Sequence, residues 1–96
     1  MKNYLIDELS VFFPCYNEEK NIQNTVDKAI KVLNEVAQKW EIIIINDGSK
    51  DNTGAVALKI QKQYPNIKIV THDPNRGYGA ALKSGIYNAK YKWITF

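Results

Sequence analysis

The sequence predicts an α/β fold, a Rossmann-like three-layer α/β/α arrangement around a mainly parallel sheet. Three observations carry this prediction. Short β-rich runs alternate with segments of helical spacing along the chain. One run, Glu41 to Asn46 (EIIIIN), holds four consecutive isoleucines, the pattern of a strand buried on both faces, as happens where helices cover both sides of a parallel sheet. The strand-like runs lead into polar, glycine-containing loops and then into helices, the order that gives right-handed crossovers.

Leu9 to Phe13 (LSVFF) is the first predicted strand, with Pro14 stopping it. Ile22, Val26, Ile30, Leu33, Val36, Ala37 and Trp40 then recur at three- and four-residue steps, predicting a helix. Asn17 is its expected N-cap, and Glu18 and Glu19 suit the positive end of the helix dipole. The isoleucine strand follows, then the turn signal Asp47-Gly48-Ser49. Asp51 or Asn52 is expected to cap a second helix running to about Tyr64, which Pro65-Asn66 ends. Ile67 to Thr71 reads as a third strand, and Asp73-Pro74-Asn75-Arg76-Gly77 as a loop. Gly79 to Ala89, with Leu82 and Ile86 on one face, reads as a third helix. Trp93 to Phe96 reads as the start of a fourth strand, and an exposed fourth strand invites edge pairing, so dimerisation through it is expected.

Composition narrows the function classes. The 96 residues suffice for one domain, with 45% hydrophobic and 24% charged residues in an ordinary globular balance. The net charge of +3 is mild, and Lys and Arg are spread along the chain rather than gathered in a stripe, which argues against a nucleic-acid partner. Cys15 is alone, fits a reducing compartment and reads as a small buried hydrophobe rather than a reactive thiol. No apolar run approaches the ~20 residues of a membrane span. Met1 to Glu8 lacks the pattern of a signal peptide, so a soluble, cytoplasmic chain is expected.

In open α/β sheets ligands sit beyond the carboxyl ends of the strands. Three loops leave such ends: Pro14-Cys15-Tyr16-Asn17-Glu18, Asn46-Asp47-Gly48-Ser49-Lys50-Asp51, and His72 through Gly79. The second places an acid directly after an isoleucine strand, where a carboxylate needs a partner or solvent. Asp47 is therefore a candidate acceptor for the N–H edge of a nucleobase, and Tyr16 a candidate stacking face. The chain has no GxxxxGK[ST] phosphate loop, and Gly77-Tyr78-Gly79-Ala80-Ala81-Leu82 lacks the third glycine of a dinucleotide fingerprint. His72, the single histidine, reads as a solvated loop residue. No Ser-His-acid or zinc spacing stands out.

At these residues the sequence resembles a known family. Pro14-Cys15-Tyr16-Asn17-Glu18-Glu19 followed by Ile22 resembles the P-x-Y-N-E segment of family 2 glycosyltransferases. Asn46-Asp47-Gly48-Ser49-Lys50-Asp51-Asn52-Thr53 resembles their D-G-S-x-D-x-T, and Asn75-Arg76-Gly77-Tyr78-Gly79-Ala80-Ala81 their N-x-G-x-x-x-A. The three segments agree in order and spacing over Leu9 to Phe96, and the nearest subgroup is similar to the polyprenyl-phosphate and dolichol-phosphate sugar transferases.

The resemblance implies the N-terminal half of a GT-A fold that binds a UDP- or GDP-sugar. It implies that Pro14, Tyr16 and Glu18 line the base and ribose, that Ile45 packs beside the base, that Asp47 bonds the base's N–H edge, and that Arg76 and Gly77 approach the donor. Ser49, Asp51 and Thr53 are read as turn and N-cap residues holding Asp47 in place, and Gly79 as permitting close helix packing. It further implies an inverting transfer to a polyprenyl-phosphate or glycan acceptor, in glycolipid or cell-wall biosynthesis at the cytoplasmic face of a membrane. Mg²⁺ or Mn²⁺ is implied in the parent enzyme, held by a D-x-D motif expected beyond Phe96 together with the catalytic residues. The 96 residues by themselves are then expected to bind no metal and to be inactive. Two other readings of the residues are a non-catalytic nucleotide-binding or structural module and a flavodoxin-like signalling domain. The second lacks the acid pair after its first strand.

Overall fold

The computed structural model describes residues 3–96, so Met1 and Lys2 of the N-terminal stretch lie outside it. The elements run β1 (Ile6–Cys15), α1 (Ile22–Val36), β2 (Ala37–Asp47), α2 (Thr53–Gln63), β3 (Ile67–His72), α3 (Tyr78–Asn88) and β4 (Trp93–Thr95). The four strands form one sheet in the order β3-β2-β1-β4, with every pairing parallel. The order reverses after β3, which sends α3 to the opposite face from α1 and α2.

Strand alternation divides the core between those faces. Val11, Ile42, Ile44 and Ile67 pack with Val26, Ile30 and Leu33 of α1 and Ala57 and Ile60 of α2. Phe12, Ile43 and Ile45 pack with Ala81 of α3. The isoleucine run is thus buried on both sides, as predicted.

Several boundaries differ from the sequence prediction. β2 begins at Ala37 directly after α1, so Ala37 and Trp40 belong to the strand although their spacing is helical; parallel pairing of Ala37 with Ile6 and of Trp40 with Leu9 overrides the local pattern. β1 runs through Pro14, which pairs with Ile45. Beyond Val11, β1 has a partner on one side only, where a residue without an N–H is tolerated. Asn17 is not the cap of α1. That position falls to Asn21, which makes no side-chain cap bond, while Asn17 takes a left-handed turn conformation at φ 55°. Tight helix–sheet packing is carried by Gly85 rather than Gly79. A Cβ on Gly85 would lie 2.1 Å from the Phe12 ring, whereas one on Gly79 would meet nothing within 4 Å.

Cys15 is buried as expected. Burial, and then the charge of Glu18, pushes its thiol up to about 11.

Candidate functional site

The three loops predicted to carry function meet at the carboxyl edge of the sheet and are tied to one another. Between the first two, Asn17 N–H donates to Ser49 Oγ (3.0 Å), and Asn17 Oδ1 accepts from Lys50 N–H (2.9 Å). Glu18 N–H donates to Thr53 Oγ1 (2.8 Å) and Glu19 N–H to Asp51 Oδ2 (3.3 Å). Asp51 also accepts from the N–H and hydroxyl of Thr53. Burial pushes the Asp51 carboxyl up, but these donors outweigh it and hold the group below its ordinary value. Ser49, Asp51 and Thr53 therefore fasten the first loop to the second, instead of holding Asp47 in place.

Asp47 holds the third loop. Parallel pairing sets it opposite His72 in the β2–β3 ladder, which brings residues 25 positions apart onto one face of the sheet. Its Oδ1 accepts from His72 Nδ1 (2.8 Å) and Arg76 N–H (2.8 Å), and its Oδ2 from Asn75 Nδ2 (3.0 Å) and Gly77 N–H (2.9 Å). Asn75 Nδ2 also reaches the Asp47 carbonyl at 2.7 Å. Burial pushes the Asp47 carboxyl up, but the Arg76 N–H, the His72 ring and the Gly77 N–H bring it below the usual range. A carboxylate offers about four acceptor positions, and four donors fill them. The carboxylate thus sets the backbone of residues 75–77, and Asp47 also lines the hollow toward α3.

The loops approach closely at Gly48. Its φ is 69°, and a Cβ there would stand 2.4 Å from the Asn75 nitrogen, so only glycine admits the contact.

Two hollows open onto this edge. A cleft of about 800 Å³ is lined by residues that include Tyr16, Asn46, Lys50, Thr71 and Asn75. A hollow of about 230 Å³ lies among Pro14, Tyr16, Asp47, Gly77, Tyr78 and Ala81. Tyr16, 44% exposed, belongs to both. Of the predicted site residues, the structure gathers Pro14, Tyr16, Asp47 and Gly77. Glu18 faces a separate hollow with Ile22 and Thr25. Arg76 joins through its backbone, and its exposed side chain lines none of these hollows.

Ile45 is a correction. At 0% exposure it is enclosed with Phe12, Ile43 and Ala81, because it alternates onto the α3 face, and it presents no surface to a ligand. The next residue, Asn46, does line the larger cleft, with its Oδ1 accepting from Ser49 N–H at 3.2 Å. Counting the strand's alternation one step further would have found it.

His72 is a second correction. It is 3% exposed rather than solvated, with Nδ1 on Asp47 and Nε2 2.7 Å from Ser84 Oγ. A Ser-His-Asp chain is therefore present, although no motif spacing announces it.

Among the described residues no group of three or more His, Cys, Asp or Glu converges, and two of the loop acids, Asp47 and Asp51, spend their oxygens on protein donors. No described helix is long and apolar enough to cross a membrane.

Comparison with known proteins places this arrangement. The family model for glycosyl transferase family 2 matches residues 10–96. The dolichyl-phosphate beta-glucosyltransferase of Dictyostelium discoideum is 41% identical over 92 residues, covering 88% of this chain and 28% of the relative. That of Homo sapiens is 36% identical over 90 residues, covering 86% and 28%. The poly-beta-1,6-N-acetyl-D-glucosamine synthase of Staphylococcus epidermidis is 37% identical over 89 residues, covering 93% and 21%. The chain thus spans about a quarter of the length of the curated relatives it matches.

Among solved structures, the mannosyltransferase PcManGT from Pyrobaculum calidifontis, in complex with GDP-Man and Mn²⁺, superposes with a TM-score of 0.75 at 24% identity, covering 85% of this chain and 24% of that one. TarS from S. aureus gives 0.74 at 21%, covering 93% and 26%. These likenesses give the fold, the α/β sheet of the GT-A glycosyltransferases, and the family match together with the loop motifs in register gives the membership: the chain belongs to glycosyl transferase family 2.

Proposed function

We propose that this chain is the nucleotide-binding part of an enzyme that transfers a sugar from a nucleotide-sugar donor. The observation that carries the reading is the fusion of three loops at the carboxyl edge of a parallel sheet around one cleft of about 800 Å³. A cleft of that size suits a nucleotide. Tyr16 offers a ring to stack on a base, Asn46 an amide for its edge, and Lys50 a cation for phosphate. Pro14, Tyr16 and Gly77 line the adjoining hollow toward α3. Asp47 acts by holding residues 75–77, and Glu18 and Arg76 stand at the margins.

The donor proposed is a UDP- or GDP-sugar and the acceptor a polyprenyl phosphate, the acceptor class named by the dolichyl-phosphate relatives. In the reaction proposed for the parent enzyme, the acceptor oxygen attacks the anomeric carbon from the face opposite the nucleoside diphosphate, which leaves with the bonding electrons and inverts that centre. We assign the metal that would offset the leaving charge, and the catalytic groups, to acids outside these 96 residues, since no metal-ligand set converges among the described residues. We place the enzyme at the cytoplasmic face of a membrane, where a lipid phosphate is within reach.

Calorimetric titration of the chain with UDP, GDP and UDP-glucose, with and without Mn²⁺, tests the reading. Metal-independent binding of at least one nucleotide, with a Kd of about 1 mM or tighter, a free energy of roughly 4 kcal/mol or more, is expected. No binding of any of the three would leave a purely structural α/β module.

A further inference from the structure

Four donors meet the Asp47 carboxylate, and three of them, Asn75 Nδ2, Arg76 N–H and Gly77 N–H, come from the loop that the carboxylate is holding. The fourth, His72 Nδ1, comes from a paired β-strand. Of the four, it alone refers the carboxylate to the rigid scaffold. The imidazole is fixed in turn, because its Nε2 meets Ser84 Oγ at 2.7 Å, across from the middle of α3. Since a carboxylate only accepts, Nδ1 must donate; with the ring neutral, Nε2 then accepts the Ser84 hydroxyl.

From this we infer that His72 and Ser84 are positioning residues of the nucleotide site. They orient the Asp47 carboxylate so that it fixes the backbone of residues 75–77 against Gly48 and so shapes the wall of the cleft. The inference rests on the reading of that cleft as a nucleotide site.

The order Ser84–His72–Asp47 is that of a nucleophile, base and acid, yet the surroundings exclude that use. His72 reaches the wall of the larger cleft, but Ser84 turns toward the sheet from mid-helix and lines neither hollow at the carboxyl edge. A nucleophile needs a face open to substrate. Here the chain ends on two backbone N–H groups of a loop instead, Arg76 and Gly77. It transmits position, not a proton.

The test combines amide NMR with UDP and GDP titration of the chain and four variants. Amides bonded to a carboxylate resonate downfield, so the Arg76 and Gly77 amide protons report the grip of Asp47 directly. In H72A those two resonances are expected to move upfield and nucleotide affinity to fall about tenfold, the scale of one lost bond to a charged group. H72N keeps a donor near Nδ1 and is expected to restore both amide resonances and to bind within about threefold of wild type, a fraction of one such bond. S84A frees the far side of the ring and is expected to give a loss between those two.

A merely structural role for His72 would leave the Arg76 and Gly77 resonances unmoved in folded H72A, or would make H72N as weak as H72A, and either result overturns the inference. Should H72A fail to fold, H72N and H72Q decide. The first reaches Asp47 and the second reaches toward Ser84, so equal behaviour of the two overturns it. If wild-type chain binds neither UDP nor GDP, the nucleotide reading fails, while the amide resonances still decide whether His72 positions Asp47.

Discussion

β2 carries a buried carboxylate at each end of its isoleucine run, and the two do different things. Glu41 and Asp47 share a strand face and are about 20 Å apart along it. Each accepts a backbone N–H from the chain next to α3: Asp47 from Gly77, before the helix, and Glu41 from Lys90, after it, at 2.8 Å. Glu41 also accepts from Ser10 Oγ at 2.6 Å, and Ser10 Oγ accepts from Tyr91 N–H. Lys68 Nζ lies 3.0 Å from Glu41 Oε1 as an ion pair outside hydrogen-bonding geometry.

The two acids thus clamp α3 at both ends. Glu41 fastens a turn at the amino edge of the sheet, while Asp47 fastens a loop that walls the cleft. The same chemistry, a buried acid taking amide donors, serves the fold at one end and the site at the other.

Removing each acid separates these roles. Asp47→Ala is expected to have the largest effect. It strands four donors, lowers stability by about 3 kcal/mol and reduces nucleotide affinity by more than about tenfold. Denaturant midpoints and calorimetry on the same preparations would measure both. Glu41→Ala is expected to lower stability by about 2 kcal/mol, because Lys68 is half-exposed and can be solvated once its partner is gone. The folded protein should bind nucleotide within about twofold of wild type, as holds for sites without shared partners. Equal loss of binding in both variants would dissolve the distinction.

A glycine pair repeats the contrast at smaller amplitude. Gly48→Ala puts a Cβ against the Asn75 backbone at positive φ, and Gly85→Ala drives one into the Phe12 ring. Each is expected to lower stability by about 1–2 kcal/mol. Only Gly48→Ala is expected to weaken nucleotide binding as well, read by the same titration.

Acid should act at both ends of β2. Burial pushes the Glu41 carboxyl up, but the Lys90 N–H, Ser10 and Lys68 outweigh it and hold the group below its ordinary value, and Asp47 is likewise held low. The folded state therefore binds fewer protons than the unfolded chain in acid. The stability these groups supply is fully present above the unfolded carboxylate values of about 4 and is lost as pH falls through the lower folded ones. Urea midpoints measured down from neutral pH should fall below about pH 4, and Glu41→Gln should flatten part of that fall without changing the Arg76 and Gly77 amide resonances.

The smallest effect concerns Cys15. With its thiol pushed up to about 11, it should react with iodoacetamide at pH 8 far more slowly in the folded chain than in urea.

Much of this was legible in the sequence. The isoleucine run, the helical spacing of Ile22 through Leu33 and the Pro65-Asn66 break set the element order, and the three loops that follow strand ends marked the functional edge. Several of the misreadings come from parallel register and strand alternation. Ala37 and Trp40 look helical and become strand only through pairing with Ile6 and Leu9. Ile45 and Asn46 differ in access because successive residues face opposite layers. His72 looks like a solvated loop residue until the ladder sets it opposite Asp47. Local spacing does not contain such pairings, and neither buried acid–donor cluster could be composed from it.

The most direct test of the account is an amide chemical-shift map of the chain titrated with UDP and GDP. The largest shifts are expected at Tyr16, Asn46, Ser49, Lys50, Thr71 and residues 75–77, with the surroundings of Glu41, Lys90 and Tyr91 unmoved. Shifts centred on the Glu41 end of β2, or none at the three loops, would contradict it.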